Sequence, residues 1–314
     1  MAGSVRKTLI TLLLVVVTAG LGRAQSVPTI RIAVPPSADS AEVSYAKELG
    51  IFARLGVNVD VQTMSVGPAT AGAVAAGAVD IGFAAVASIA AAYSKHIPLA
   101  IVAPAALYES TAPNTALVTM ASSTLRSAKD LDGKTIAASG LGTTSDYGFR
   151  QWMDKNGGDS TTIKIVELGF SSMPSALAAG RIDAAIMVEP FLSVAKKNGR
   201  VLAHPYDGIA KEFLVTAWFG SQQWTKDHPD LADRFGAAMR EAALWANDKD
   251  NQARRSEILA QYTKIDAAVA AAMAPSRFAE RLTPALLQPV IDVAAKYGKF
   301  TSFPAAELLY GGLR

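Results

Sequence analysis

Thr29–Val34 (TIRIAV), Val57–Gln62 (VNVDVQ), Asp80–Ala84 (DIGFA) and Leu99–Ala103 (LAIVA) are four short apolar or alternating runs, and helical, alanine-rich stretches at Ala41–Leu55, Pro68–Ala76 and Ser88–Ser94 lie between and beside them. Strand-sized runs that alternate with helices predict parallel sheets covered by helices on both faces, an α/β fold. The pattern then restarts. Ala116–Met120, Lys134–Ala138, Thr162–Glu167, Ala184–Val188, Val201–Ala203 and Leu214–Phe219 read as further strands, with a helix around Tyr147–Lys155, and from Pro229 onward the chain reads as helical. Two successive α/β blocks and a helical tail predict two lobes. The expected division puts residues 26–112 and 220–314 in lobe one and 113–219 in lobe two, with crossings near Ala112–Asn114 and Phe219–Gln222.

A quasi-repeat supports two related lobes. Residues 75–82 (AAGAVDIG) and 178–185 (AAGRIDAA) share one plan: a helix end, a glycine, two residues, an aspartate and a strand. Gly77 and Gly180 suit the left-handed conformation that ends a helix, and Asp80 and Asp183 then stand at the start of buried strands.

The first residues predict a secretory leader. Arg6 and Lys7 precede an apolar run at Thr8–Ala19, and Gly22-Arg23-Ala24 offers small residues at the −3 and −1 positions before Gln25. The run is shorter than the roughly 20 residues of a spanning helix. Residues 1–24 are therefore expected to be a signal peptide, cleaved near Ala24/Gln25, which points to the periplasm. The sequence has no cysteine, so disulfides, thiol chemistry and a lipid-anchoring lipobox are excluded. Of its 30 Lys and Arg, three (Arg6, Lys7, Arg23) lie in the leader, leaving 27 against 27 Asp and Glu. A mature chain of zero formal charge offers no support for a nucleic-acid partner. Its length, about 290 residues, suits two ordinary domains.

Enzyme motifs fail. There is no G-x-S-x-G and no H-E-x-x-H, and the three histidines, His96, His204 and His228, have no carboxylate at metal-ligand spacing. Gly133-Lys134-Thr135 resembles the end of a P-loop, but the earlier glycine is replaced by Ala128. Residues 140–145 (GLGTTS) follow a strand and open a helix, yet Ser145 stands where a dinucleotide fingerprint has its third glycine. The same segment is the best site candidate: its glycines let a ligand approach the backbone, and Thr143, Thr144 or Ser145 can cap a helix whose first N–H groups remain free. Residues 65–70 (SVGPAT) and 35–38 (PPSA) are similar turns, and in parallel sheets such turns gather at one edge, where ligands bind.

Four stretches carry a family resemblance: Ala46–Asp60 (AKELGIFARLGVNVD), Ala76–Phe83 (AGAVDIGF), Ala128–Ile136 (AKDLDGKTI) and Ala176–Phe191 (ALAAGRIDAAIMVEPF). In this order they resemble the sulfonate/nitrate/taurine binding proteins of ABC importers, also called the NMT1/THI5-like family. The resemblance implies a type II periplasmic binding protein fold: two α/β lobes joined by a two-strand hinge, with a helical C-terminal tail. It implies a monomer that closes over a small molecule and docks on an ABC permease at the inner membrane, with no catalytic residue, cofactor or metal. The implied pocket falls on Ser37, on Ser65, Val66 and Gly67, on Ala87 and Ser88, on Gly142, Thr143, Thr144 and Ser145, on Met187 and Glu189, and on Trp218.

These segments contain no Lys or Arg, whereas Asp39, Glu109, Asp146 and Glu189 lie in or beside them. A sulfonate would therefore rest on hydroxyls and helix N-termini without a guanidinium fork. The family resemblance favours a sulfonate-like or taurine-like ligand, and some relatives bind neutral or heteroaromatic compounds; the charges favour a zwitterion or a neutral polar molecule. The Thr143 turn is expected to present donors and Glu189 an acceptor. A lyase or dehydratase on the same bilobal fold and a periplasmic sensor are the alternative functions.

Overall fold

The computed structural model describes residues 27–64 and 68–311. The expected leader and the pocket residues Ser65, Val66 and Gly67 lie outside the described residues. In chain order the strands are β1 (Thr29–Val34), β2 (Asn58–Thr63), β3 (Ile81–Ala85), β4 (Leu99–Pro104), β5 (Ala106–Glu109), β6 (Thr115–Met120) and β7 (Thr135–Ala138). They continue with β8 (Lys164–Glu167), β9 (Ala184–Val188), β10 (Gly199–Ala203), β11 (Glu212–Leu214), β12 (Thr216–Ser221) and β13 (Arg277–Phe278).

Two five-stranded sheets share one plan. The first runs β2-β1-β3-β12-β4 and the second, written from its other edge, β8-β7-β9-β6-β10. In each, the first three strands are parallel and the fourth is antiparallel to both neighbours. That fourth strand lies next to a crossing: β6 follows the outgoing segment and β12 the returning one.

The quasi-repeat is the hinge of this likeness. Gly77 and Gly180 adopt φ of +69° and +67°. Asp80 then accepts the backbone N–H of Arg31 on β1 at 2.8 Å, and Asp183 that of Thr135 on β7 at 2.8 Å. Each aspartate ties the start of one parallel strand to its neighbour. Asp80 also binds the Arg31 guanidinium, 2.6 Å from Oδ1 to Nη2.

Period-two patterning builds a core on each face of each sheet. In the first sheet Ile30, Ile32, Ile81, Phe83 and Trp218 point to one side and Ala33, Ala84, Ala217 and Phe219 to the other. In the second, Ala116, Val118, Ala185 and Met187 face one helical layer, and Leu117, Ile136, Ala184 and Ile186 the other. Such two-sided burial is why the strands read as continuous apolar runs.

Two expectations change. The helix expected over 41–55 divides into Glu42–Glu48 and Ile51–Arg54, because Gly50 sits at φ +66° between them. The run 214–219 is not one strand: Val215 donates to Ala106 O at 2.9 Å and Ala106 N donates to Thr216 Oγ1 at 3.1 Å, so the chain changes ladders there. β11 joins a small sheet, β11-β5-β13, and β12 lies in the first sheet. The return therefore precedes Glu212 instead of falling near Phe219–Gln222, and residues 115–203 build the second sheet. An apolar run cannot show that its two halves serve different sheets. The tail is helical over Pro229–Asn247, Gln252–Thr263, Ala267–Ala272 and Pro284–Gly298, with β13 intervening. Among the described residues no helix is long and apolar enough to cross a membrane.

Candidate functional site

The C-terminal ends of the parallel strands in both sheets face one cavity of about 340 Å³. From the first sheet, the turn after β1 supplies Pro35, Pro36, Ser37 and Asp39, and β3 with the following helix supplies Phe83, Ala85 and Ser88. From the second, the turn after β7 supplies Ser139, Thr143, Thr144 and Ser145; β8 and its loop add Glu167 and Phe170, and β9 adds Val188 and then Phe191. Tyr206, Val215 and Thr216, on the returning segment, complete the wall. Parallel strands create such a crevice because each chain leaves its sheet at the same edge.

Five expected residues meet here: Ser37, Ser88, Thr143, Thr144 and Ser145. The helix Thr144–Lys155 is capped by Thr143, whose side chain accepts from Asp146 N at 3.4 Å. Gly142 takes φ +71° to make that turn. Its carbonyl accepts from Ser88 Oγ at 3.2 Å, and Thr144 Oγ1 donates to Val215 O at 3.3 Å. The Thr143 turn thus touches the first lobe and the returning segment while it lines the cavity.

Other expected residues lie elsewhere. Ala87, on the helix Val86–Tyr93, turns its buried face into a core of the first sheet, and Met187 is fully buried in a core of the second, because strand alternation on β9 turns it away from the crevice. Gly142 shapes the turn without lining the cavity. Trp218 is fully buried, packs edge-on against Phe83 and Phe235, and donates Nε1–H to Glu42 Oε2 at 2.9 Å. Glu189 does not present its carboxylate to the cavity. Oε2 accepts from Ser193 N and Oε1 from Ser193 Oγ, both at 3.0 Å, so it caps the helix that follows it. The chain leaves the sheet beside Pro190, where four N–H groups need acceptors.

The charges near the cavity sort by partner. Asp146 accepts from Gly142 N at 3.0 Å and pairs with Arg150 at 2.7 Å; Glu109 pairs with Arg277 at 3.3 Å. Among the described residues, Asp39 and Glu167 alone of the acids line the cavity, and no Lys, Arg or His lines it. Burial raises the Asp39 carboxyl above its ordinary range, partly offset by hydrogen bonds from Ser276 and Asn114. Burial likewise raises the Tyr206 hydroxyl, and the Asp39 charge adds to it. Sequence reasoning missed Glu167, Phe170, Phe191 and Tyr206 as wall residues. Glu167 ends a parallel strand, the one signal that pointed to it; Tyr206 had none. Among the described residues no group of three or more His, Asp or Glu side chains is placed to hold a metal ion.

A family model described as NMT1/THI5 like matches residues 37–253, which include every parallel strand except β1 and most of the cavity wall. The chain belongs to that family. A Brucella abortus protein provisionally named a binding protein is 24% identical over 238 residues, 72% of this chain and 68% of its own. Among solved structures, the alkanesulfonate-binding protein SsuA of Xanthomonas axonopodis pv. citri superposes with a TM-score of 0.73 at 18% identity, covering 90% of this chain and 98% of SsuA. SsuA of Escherichia coli, an aliphatic sulphonate binding protein, gives a TM-score of 0.70 at 16% identity over 90% and 92% of the two chains. The nitrate-binding protein NrtA of Synechocystis PCC 6803 gives 0.66 at 17% identity over 78% and 69%. At these identities the likeness establishes the fold, that of periplasmic binding proteins.

Proposed function

We propose that this chain is a periplasmic solute-binding protein that holds a small polar organic molecule between its two lobes and delivers it to an ABC permease. The observation that carries the reading is the cavity at the facing strand ends, walled by both sheets and by the segment that joins them. Family membership and the names of the structural neighbours point the same way. A cavity shared by two lobes couples ligand binding to lobe closure, which gives a permease a shape by which to tell loaded from empty protein. The wall supplies hydroxyls for polar recognition and aromatic rings for apolar contact, a composition suited to a compact ligand. Delivery from the periplasm requires export, which the leader over residues 1–24 would direct.

Native mass spectrometry of protein purified without denaturation tests the reading. A retained small molecule that leaves on unfolding is the expected result, with a mature N-terminus at or near Gln25. Turnover of the retained molecule by the purified protein would replace this reading with the lyase one.

A further inference from the structure

Most carboxylates near the cavity are satisfied by the chain itself. Asp146 is engaged by Arg150 and Gly142 N, and Glu189 by Ser193. Asp39 differs. Its Oδ1 accepts from Ser276 Oγ at 2.8 Å and Asn114 Nδ2 at 3.4 Å, while no protein donor reaches Oδ2 among the described residues. Asp39 is 8% exposed, and the face it keeps open lines the cavity.

Tyr206 is the second such group. It is 3% exposed, and its ring packs against both Tyr108 and Phe213 at centroid distances of 5.3 and 5.5 Å. Its hydroxyl finds no protein partner among the described residues, yet it is not one of the atoms that protein encloses completely. Tyrosine hydroxyls with most of the ring buried ordinarily find a partner. Here the position open to one is the cavity. Glu167, from the opposite lobe, brings a second carboxylate with no protein donor among the described residues, and Phe170 and Phe191 bring aromatic faces.

We propose that the ligand carries a protonated nitrogen, an ammonium or amidinium group, held by Asp39 Oδ2 and the Tyr206 hydroxyl, with Glu167 closing over it from the second lobe. This rests on the binding-protein reading and names its substrate class as organic cations. The reason is charge. A bare sulfonate or nitrate in this cavity would meet two carboxylates and, among the described residues, no cation, and water screens the buried Asp39 little. An ammonium supplies the N–H donors that the open oxygens lack, and aromatic faces attract it further.

The test uses charge-matched probes on the full mature chain: phenethylammonium, phenethyl alcohol and phenylethanesulfonate, and separately 1,3-diaminopropane and propane-1,3-disulfonate. Calorimetry should show the cation of each series bound at least about tenfold more tightly than its neutral or anionic counterpart. Asp39→Asn should weaken cation binding about ten- to a hundredfold, as expected for a lost charge-assisted hydrogen bond, and weaken the neutral alcohol by a clearly smaller factor. Because Asp39 also accepts from Ser276 and Asn114, Glu167→Gln serves as a second variant on an exposed side chain; it should weaken the cations by a smaller factor. Tighter binding of a sulfonate, or cation binding unchanged in both variants, overturns the charge assignment while the binding function stands. If no probe binds, the molecule retained in native mass spectrometry decides: a cation supports the assignment and an anion overturns it. Should no probe bind and no molecule be retained, the binding-protein reading itself fails.

Discussion

Trp218 on β12 donates its indole N–H to Glu42 Oε2 at 2.9 Å, joining the returning strand to the first helix inside the core of lobe one. Both side chains are fully buried, and Glu42 Oε1 has no partner among the described residues. Burial therefore pushes the Glu42 carboxyl well above the ordinary carboxylate range; the Trp218 N–H pulls it back in part, and the Asp39 charge adds to the rise.

The sign of the pH dependence follows. A raised native pKa means that the folded state holds the proton more tightly than the unfolded chain. Stability from Glu42 is fully present below the unfolded value of about 4.3, is lost as pH rises toward the native value, and is constant above it. Urea denaturation at a series of pH values should show this decline in the wild type and a shallower one in Glu42→Gln. Equal slopes would show that Glu42 is not the titrating group. Trp218→Phe leaves both carboxyl oxygens unpartnered and should cost about 1–3 kcal/mol.

The paired aspartates at the strand starts predict unequal costs from one motif. Asp80 is buried and accepts both a backbone N–H and the Arg31 guanidinium; Asp183 is exposed and accepts Thr135 N. Asp80→Ala should cost roughly 1.5–3 kcal/mol and Asp183→Ala roughly 0.5–1.5 kcal/mol. Chemical denaturation of the two variants side by side measures the difference, and a reversed order would contradict the burial argument.

Gly82, the second residue of β3, is a packing position. A Cβ there would stand 2.8 Å from Phe219 Cζ, 2.8 Å from Thr70 Cγ2 and 2.9 Å from Val74 Cγ2. Gly82→Ala should destabilise by about 1–3 kcal/mol, the usual range for overpacking. A thermal midpoint equal to wild type would mean that the helix Pro68–Ala75 shifts without cost.

Thr143 and Glu189 separate two roles that the sequence joined. Thr143 lines the cavity and caps the helix Thr144–Lys155, so Thr143→Ala should lower stability by about 0.5–2 kcal/mol and also weaken ligand binding. Glu189 spends both oxygens on Ser193. Glu189→Gln should lower stability and leave the affinity for the native ligand unchanged. A large loss of affinity in Glu189→Gln would return it to the binding site.

The sequence by itself determined the alternation of strands and helices, the glycines that end helices before Asp80 and Asp183, and a hydroxyl cap somewhere in Thr143–Ser145, which the structure assigns to Thr143. Each depends on a few adjacent residues, so backbone conformation and hydrogen-bond need suffice to place it. The likeness of the two halves was legible for the same reason. Only the tertiary structure decided which strand-end residues face the ligand. Whether Met187 or Val188 meets the cavity is a matter of strand phase, and whether Glu189 or Glu167 offers a free carboxylate depends on what else lies within hydrogen-bond reach. Asp39 and Tyr206 come together because the chain crosses between lobes and returns, and no local pattern carries that information. The split of residues 214–219 between two sheets has the same origin: its partners are β5, β3 and β4, all more than 100 residues earlier in the chain. Local chemistry specifies elements; the charge and shape of a cleft between lobes exist only once the lobes have formed.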